Sequence, residues 1–531
     1  MSKQSRYKKS RDQWKHKAGQ RADESRYLRK ELSRVKKERD CSKKELKETQ
    51  ARLEQLEAEN RKPAVQSKVD LVFLALQLFL VAHIGFRAVS RVIGLLAGAL
   101  GIPKAPCAQT IINWVTRLSL VRIQTASLLE GPLLPQAPFS NGFIWMIDMS
   151  IALGTGKILT VLALNACHHQ IAEGAPGLEH VRCVAVSVAV SWTGEDIAAF
   201  IKRLIDVMGR PAAYLKDGGT DLQKGTRLLD EQGLGSPSID DISHFVANLL
   251  KWRYLDHPMF ETFMSACGRI SGKLKQTILA CLTPPKTLTK ARFMNVHRLV
   301  AWAERLLKLS PPGGAAKGST LSKLRACLDK LPECKDFIKR FRADAVPMLK
   351  CQEILKTQGL SKNTLAQCEP FIKTILSANV RECFTDYLHC QLDIATKLGL
   401  EQVGLPISSD QIESLFGLAK HLGVGEIKDA DRIATRLPAL CGIPTRQEAQ
   451  QVIDLGVAGQ KELTDNFNSL TKQRRQVFGN PDGLDSLGID QAHIELIPPT
   501  KNRSKKPEIS VIPVAGEESP APEKMLQNGY G

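Results

Sequence analysis

Between Phe143 and His244, apolar runs too short to be helices alternate with amphipathic helical stretches, and this limits the possible folds more than any other feature of the 531-residue chain. Phe143–Ser150, Lys157–Ala166 and Val181–Val190 are rich in β-branched residues and read as three strands. Glu195–Met208 has helical periodicity and opens on Thr193-Gly-Glu-Asp, with its acids in the first turn, where the helix dipole favours them. Ala212–Asp217 reads as a fourth strand, Leu222–Gln232 as a helix, and Ser238–His244 as a fifth strand. The order β-β-β-α-β-α-β predicts an α/β fold around a mixed five-stranded sheet, three strands antiparallel and the later ones parallel.

The flanking segments are helical. Residues 1–62 form a polar arm with 21 Lys and Arg against 11 Asp and Glu, a surplus of ten. Within it, Leu28, Leu32, Val35, Leu46, Leu53 and Leu56 follow one 3-4 heptad register, with Arg39, Ser42 and Thr49 at its middle positions. This predicts a weak, dimeric coiled coil. Residues 63–130 read as short helices broken at Gly101-Ile-Pro, a helix-turn-helix pattern. Its second helix would turn Gln109, Thr110, Asn113 and Arg117 outward, and Arg91 belongs to the first. These side chains suit base edges and phosphates. From Phe245 to about Leu405 no strand is evident, so residues 251–405 are expected to form an all-helical domain and 406–475 further helices. Trp252 and Trp302 are expected in its core, and its basic runs Lys286–Arg292 and Lys335–Arg342 suit a DNA backbone or a solvated helix face. Residues 480–531 are Pro-, Gly- and Lys-rich and read as a disordered tail.

With 43% apolar residues the chain can bury a large core, which excludes a wholly disordered protein. The net charge of +19 points to a polyanionic partner. Thirteen scattered cysteines without a C-x-x-C pair argue against a disulfide scaffold or zinc ribbon. Leu71–Ala82 is too short to span a bilayer, and the N-terminus has no apolar leader. The expected location is cytoplasmic, with the nucleoid.

Two carboxylates carry the chemistry. Asp148 and Asp217 stand at the ends of the first and fourth strands, where open α/β sheets place their ligands. Clustered carboxylates suit hard cations such as Mg²⁺ or Mn²⁺, and paired ions of this kind serve phosphoryl transfer. Downstream, Ser408-Ser-Asp-Gln-Ile-Glu413 opens a helix in which Lys420 shares the face of Glu413. Asp241-Ile-Ser-His244 follows Asp217 by 24 residues.

This strand order, with Asp148 and Asp217 at those two ends, resembles the RNase H-like core of DDE transposases, in the layout where a helical domain interrupts the core. Asp241-Ile-Ser-His244 is similar to the C/D-x-x-H signature of hAT-like and mutator-like members, and the chain as a whole resembles a bacterial insertion-sequence transposase. The resemblance implies an RNase H-like core at residues 140–250 and 406–475. It further implies Glu413 as the third acid with Asp148 and Asp217, two Mg²⁺ ions held by the three, and support from Asp241 and His244. Lys420 stands where the family places a lysine on DNA phosphate. The family often carries Arg four residues before its Glu, a position held here by Ser409, and Asp410 is the rival acid. The implied activity is cut-and-paste transposition: hydrolysis at terminal inverted repeats of double-stranded DNA, then strand transfer, by a homodimer or higher homo-oligomer. The alternatives are a non-catalytic, transposase-derived DNA-binding regulator and an RNase H-like structure-selective nuclease.

Overall fold

The computed structural model describes residues 3–59, 67–151, 156–286, 292–309, 315–328, 330–422, 429–464, 474–475, 477–480, 482 and 494–499. The break at Pro63, the Lys286–Arg292 run apart from its ends, Pro311–Gly314 and most of the terminal tail lie outside the described residues. Two compact units are present: Met1–Lys68 with Leu95–Lys104, and Val69–Gly94 with Ala105–Gly531. The first contains α1 (Lys3–Glu59), a single 57-residue helix. Its heptad leucines and valine at positions 28, 32, 35 and 46 are exposed.

In the second unit, α2 (Lys68–Leu80), the start of α3 (Phe86–Leu100) and α4 (Ala108–Thr125) precede β1 (Phe143–Ile151), β2 (Lys157–Asn165), α5 (His168–Ile171) and β3 (Val181–Ala189). Next come α6 (Gly194–Met208), β4 (Ala213–Lys216), α7 (Thr220–Glu231) and β5 (Ser238–Asp240). The all-helical part follows as α8 (Ile242–Tyr254), α9 (Pro258–Leu274), α10 (Arg292–Leu309), α11 (Thr320–Cys327), α12 (Lys335–Gln358), α13 (Lys362–Ile372) and α14 (Ala378–Leu398). The chain then forms α15 (Asp410–His421), α16 (Ala430–Ala434), α17 (Arg446–Thr464) and β6 (Ile494–Leu496).

The sheet order is β5-β4-β1-β2-β3-β6. β1–β2, β2–β3 and β3–β6 are antiparallel, while β1–β4 and β4–β5 are parallel. The expected mixed sheet is present with one more strand, for Ile494–Leu496 falls in the predicted tail. A short apolar stretch there pairs with the open edge of β3, and Arg203 of α6 holds Glu495 at 2.6 Å. The fifth strand is shorter than expected: after Asp240 the chain turns at Asp241, so Ile242–His244 is helix. The N-cap hydrogen bond at Asp241 ends the strand and starts α8.

β2 and β3 are buried along nearly their whole length, as strands covered on both faces must be. Alternation divides β1 between those faces. Phe143, Trp145 and Ile147 join Phe200, Leu204, Tyr214, Leu222 and Leu229 in a core with α6 and α7. The other face therefore receives Asp148 and Ser150. α6 opens as predicted, with Thr193 and Asp196 forming a capping box. In the helical part, Tyr254, Phe260, Phe263, Phe337 and Phe341 make an aromatic core. The fully buried Asp344 accepts from Tyr254 Oη (2.6 Å) and from Ser377 N–H (2.7 Å) and Oγ (2.6 Å). Among the described residues, no helix is long and apolar enough to cross a membrane.

Candidate functional site: an acid cluster closed by Asp241

Parallel pairing of β1 with β4 sets Ile147 against Lys216, so Asp148 and Asp217 are the next residues on neighbouring strands. Asp148 accepts from the Met149 N–H at 2.6 Å. Asp217 accepts from the Gly219 N–H at 3.0 Å as the chain turns into α7. A side chain at Gly219 would bring its Cβ within 2.8 Å of that carboxylate oxygen. Burial, then the neighbouring charge of Asp217, push the Asp148 carboxyl up to about 7.

Glu413 reaches this place through Asp241. One Asp241 oxygen accepts from the His244 N–H at 2.8 Å and caps α8. The other accepts from Ser409 N–H (2.6 Å) and Oγ (3.0 Å) just before α15. Alongside, the Ile242 N–H donates to the Ile407 carbonyl at 3.0 Å. These bonds join the start and end of the helical segment. They bring His244, in the first turn of α8, to Glu413, in the first turn of α15. His244 Nε2 and Glu413 Oε1 are 3.1 Å apart. The hydrogen bond to Glu413 is the largest influence raising the imidazole to about 9, against the opposing effect of burial, and Asp241 and Asp217 add to it. His244 is thus a cation at neutral pH.

Lys420, two turns along α15, donates to Ser150 Oγ at 2.6 Å and stands 5.9 Å from the centre of the Phe416 ring. Ser150 lies two residues beyond Asp148 on the same face of β1. Asp410 is paired elsewhere, with Lys356 of α12 at 2.6 Å.

Among the described residues, no three Asp, Glu, His or Cys side chains stand close enough together to hold a metal ion as they are placed. Glu413 is engaged by His244. The donor chemistry of Asp148, Asp217 and Glu413, all carboxylate oxygen, fits a hard divalent cation. The raised proton affinity of Asp148 comes first from burial and then from the adjacent Asp217, with the nearby His244 acting in the opposite direction.

The residues expected to read DNA are placed differently. Arg91 and Gln109 are exposed, while Thr110 and Asn113 are half-buried. Gln109 donates to Asn113 at 3.1 Å. Arg117, expected outward, is only 8% exposed and donates to Gln460 of α17 at 3.0 Å. From Ile111 to Ile123, α4 is largely buried, so its polar surface is confined to its ends, with Gln109 exposed in the first turn and Gln124 in the last. A second buried arginine, which the sequence pattern did not reveal, lies in the same helix. Arg122 donates to Glu448 from Nε (2.8 Å) and Nη2 (3.0 Å), and from Nη1 to the Ala439 (2.9 Å) and Cys441 carbonyls. Arg182 lies 3.5 Å from Glu448 Oε1, the oxygen that also accepts from Arg122 Nε. Burial would raise the Glu448 carboxyl, but the hydrogen bonds and charge of Arg122 outweigh it and hold the group below its ordinary value.

The tryptophans part company. Trp302 is half-buried and donates to the Leu282 carbonyl at 2.9 Å, whereas Trp252 is 61% exposed rather than in the core. Arg342, in the second basic run, is paired with Glu304.

Comparison with known proteins finds no matching family model and no matching curated protein.

Proposed function

We propose that this chain is a DNA-processing enzyme of the DDE transposase kind, which binds the ends of a mobile element and performs metal-dependent phosphodiester hydrolysis and strand transfer. The observation that carries this reading is that Asp148 and Asp217 follow a paired position on neighbouring strands, while the closure by Asp241 joins His244 to Glu413 near enough for both to act on the Asp148 charge. The sheet order, with β1 flanked by antiparallel β2 and parallel β4, supports an RNase H-like core. The net charge of +19 supports a nucleic-acid partner.

In this reading Asp148, Asp217 and Glu413 hold two Mg²⁺ ions, with Mn²⁺ as a substitute. Such a pair supplies an activated water or 3′-hydroxyl and charge neutralisation at both the attacking and the leaving oxygen. His244 orients the Glu413 carboxylate, and Asp241 fixes the helix start that carries His244. Lys420, on the same helix as Glu413 and over Ser150, is placed to neutralise a phosphate close to the acids. The exposed first turn of α4, with Gln109, and Arg91 on α3 offer contacts to flanking duplex, and the basic residues of 1–62 add sequence-independent phosphate contacts.

The test is Mn²⁺- or Mg²⁺-dependent nicking of DNA carrying the element's ends, with wild type beside Asp148→Asn, Asp217→Asn, Glu413→Gln and Asp410→Asn. Cleavage should survive only in wild type and Asp410→Asn, while all five proteins bind the ends. Binding without cleavage by wild type would favour a DNA-binding regulator. Cleavage that ignores the ends would favour a structure-selective nuclease.

A further inference from the structure

We infer that α1 pairs with α1 of a second copy of this chain as a parallel, in-register, two-stranded coiled coil. The inference stands apart from the catalytic reading, because it rests only on the helix itself. Leu28 and Val35 take d positions and Leu32 and Leu46 take a positions, each more than half exposed in the single chain. An apolar seam of this kind buries itself only against another helix. The flanking charges say which helix and which way round. Every g position from residue 24 to 45 is an acid: Glu24, Glu31, Glu38 and Glu45. The e positions Arg29, Lys36 and Lys43 are bases.

In a parallel dimer each g residue meets the e residue five positions on in the partner. That rule sets Glu24 against Arg29, Glu31 against Lys36, and Glu38 against Lys43, each pair formed twice across the dimer. An antiparallel dimer sets g against g and e against e, and so would bring glutamates against glutamates and bases against bases. In the single chain Glu31 and Glu38 are bridged by Arg34, at 3.1 Å and 3.8 Å, on the outer flank of the helix. Arg34 can remain there while the glutamates reach across the seam. Arg39 at an a position, with Ser42 and Thr49 at d, weakens the seam. A long cationic side chain at a is better tolerated in two strands, where it can reach solvent, than in larger bundles. The parallel arrangement also sets two copies of residues 1–30, each with 11 basic and 3 acidic residues, side by side at one end.

The experiment is sedimentation equilibrium of the full chain at low micromolar concentration, where a dimer is expected. E31K/E38K should weaken dimerisation by roughly tenfold to a hundredfold, from the usual worth of such pairs and their reversal. K36E/K43E should weaken it alike, and the quadruple variant should restore it, which also excludes misfolding as the cause. Orientation is read from S42C in a C41S background with oxidised glutathione. The two thiols give up two hydrogens, the disulfide reagent becomes two thiols, and an S42C–S42C link forms between copies. A monomeric wild type, a quadruple variant no better than the doubles, or S42C linked elsewhere would each overturn the inference.

Discussion

Asp241 and Ser409 are joined by two hydrogen bonds, 2.6 Å from the backbone N–H and 3.0 Å from Oγ, although 168 residues separate them. The same carboxylate caps α8, so one side chain serves both ends of the helical segment. Asp241→Ala removes a helix cap and leaves two buried donors unpaired, at a cost of about 2–4 kcal/mol. Urea unfolding of the metal-free protein measures it. Hydrogen exchange should rise first at residues 405–415, and uniform exchange would argue against the closure.

The His244–Glu413 pair gives a pH signature. In the metal-free protein the imidazole should titrate near 9 by NMR, and Glu413→Gln should bring it back towards the ordinary value of 6.5. Because the folded value is raised, the stabilisation is fully present below 6.5 and is lost as pH rises to about 9. A wild-type midpoint near 6.5 would show that the two side chains do not pair in solution.

Glu448 compensates the buried Arg122, whose side chain is 4% exposed. Glu448→Ala leaves that charge without its carboxylate and should cost about 3–5 kcal/mol in chemical unfolding. Its lowered carboxyl works in the acid range: the stabilisation is present above the ordinary 4.5 and is lost as pH falls below it. Glu448→Ala should therefore flatten the acid limb of the stability profile.

Lys420→Ala should weaken binding to DNA ends without sequence preference and reduce the slope of log K against log salt by about one. An unchanged slope would show that Lys420 meets no phosphate.

Much of the sheet was legible because strands covered on both faces must be apolar throughout, and Phe143–Ile151, Lys157–Asn165 and Val181–Ala189 are nearly so. Asp217 was legible for the same reason, since a charge ending an apolar run is conspicuous, whereas Asp148, expected at the end of its strand, lies within β1, which stays paired with β2 as far as Ile151. Other features depended on long-range partners. Arg117 looked like an outward basic residue because nothing near it shows that Gln460, more than 320 residues away, receives it, and Arg122 carried no signal because its partner Glu448 is as remote. The motif Asp241-Ile-Ser-His244 was visible as a spacing. That Asp241 binds Ser409, and so delivers His244 to Glu413, depends on how the helical segment closes. Ile494–Leu496 was hidden by its composition, because three residues in a Pro- and Lys-rich stretch become a strand only through the free edge of β3.

That last strand has a consequence for synthesis. The Val-rich β3 leaves the ribosome about 300 residues before its edge partner. At roughly 5–20 residues per second, the edge stays bare for about 15–60 seconds. For that interval the growing chain displays an unpaired apolar ribbon to its neighbours on the polysome, and three residues near its far end finally cover it.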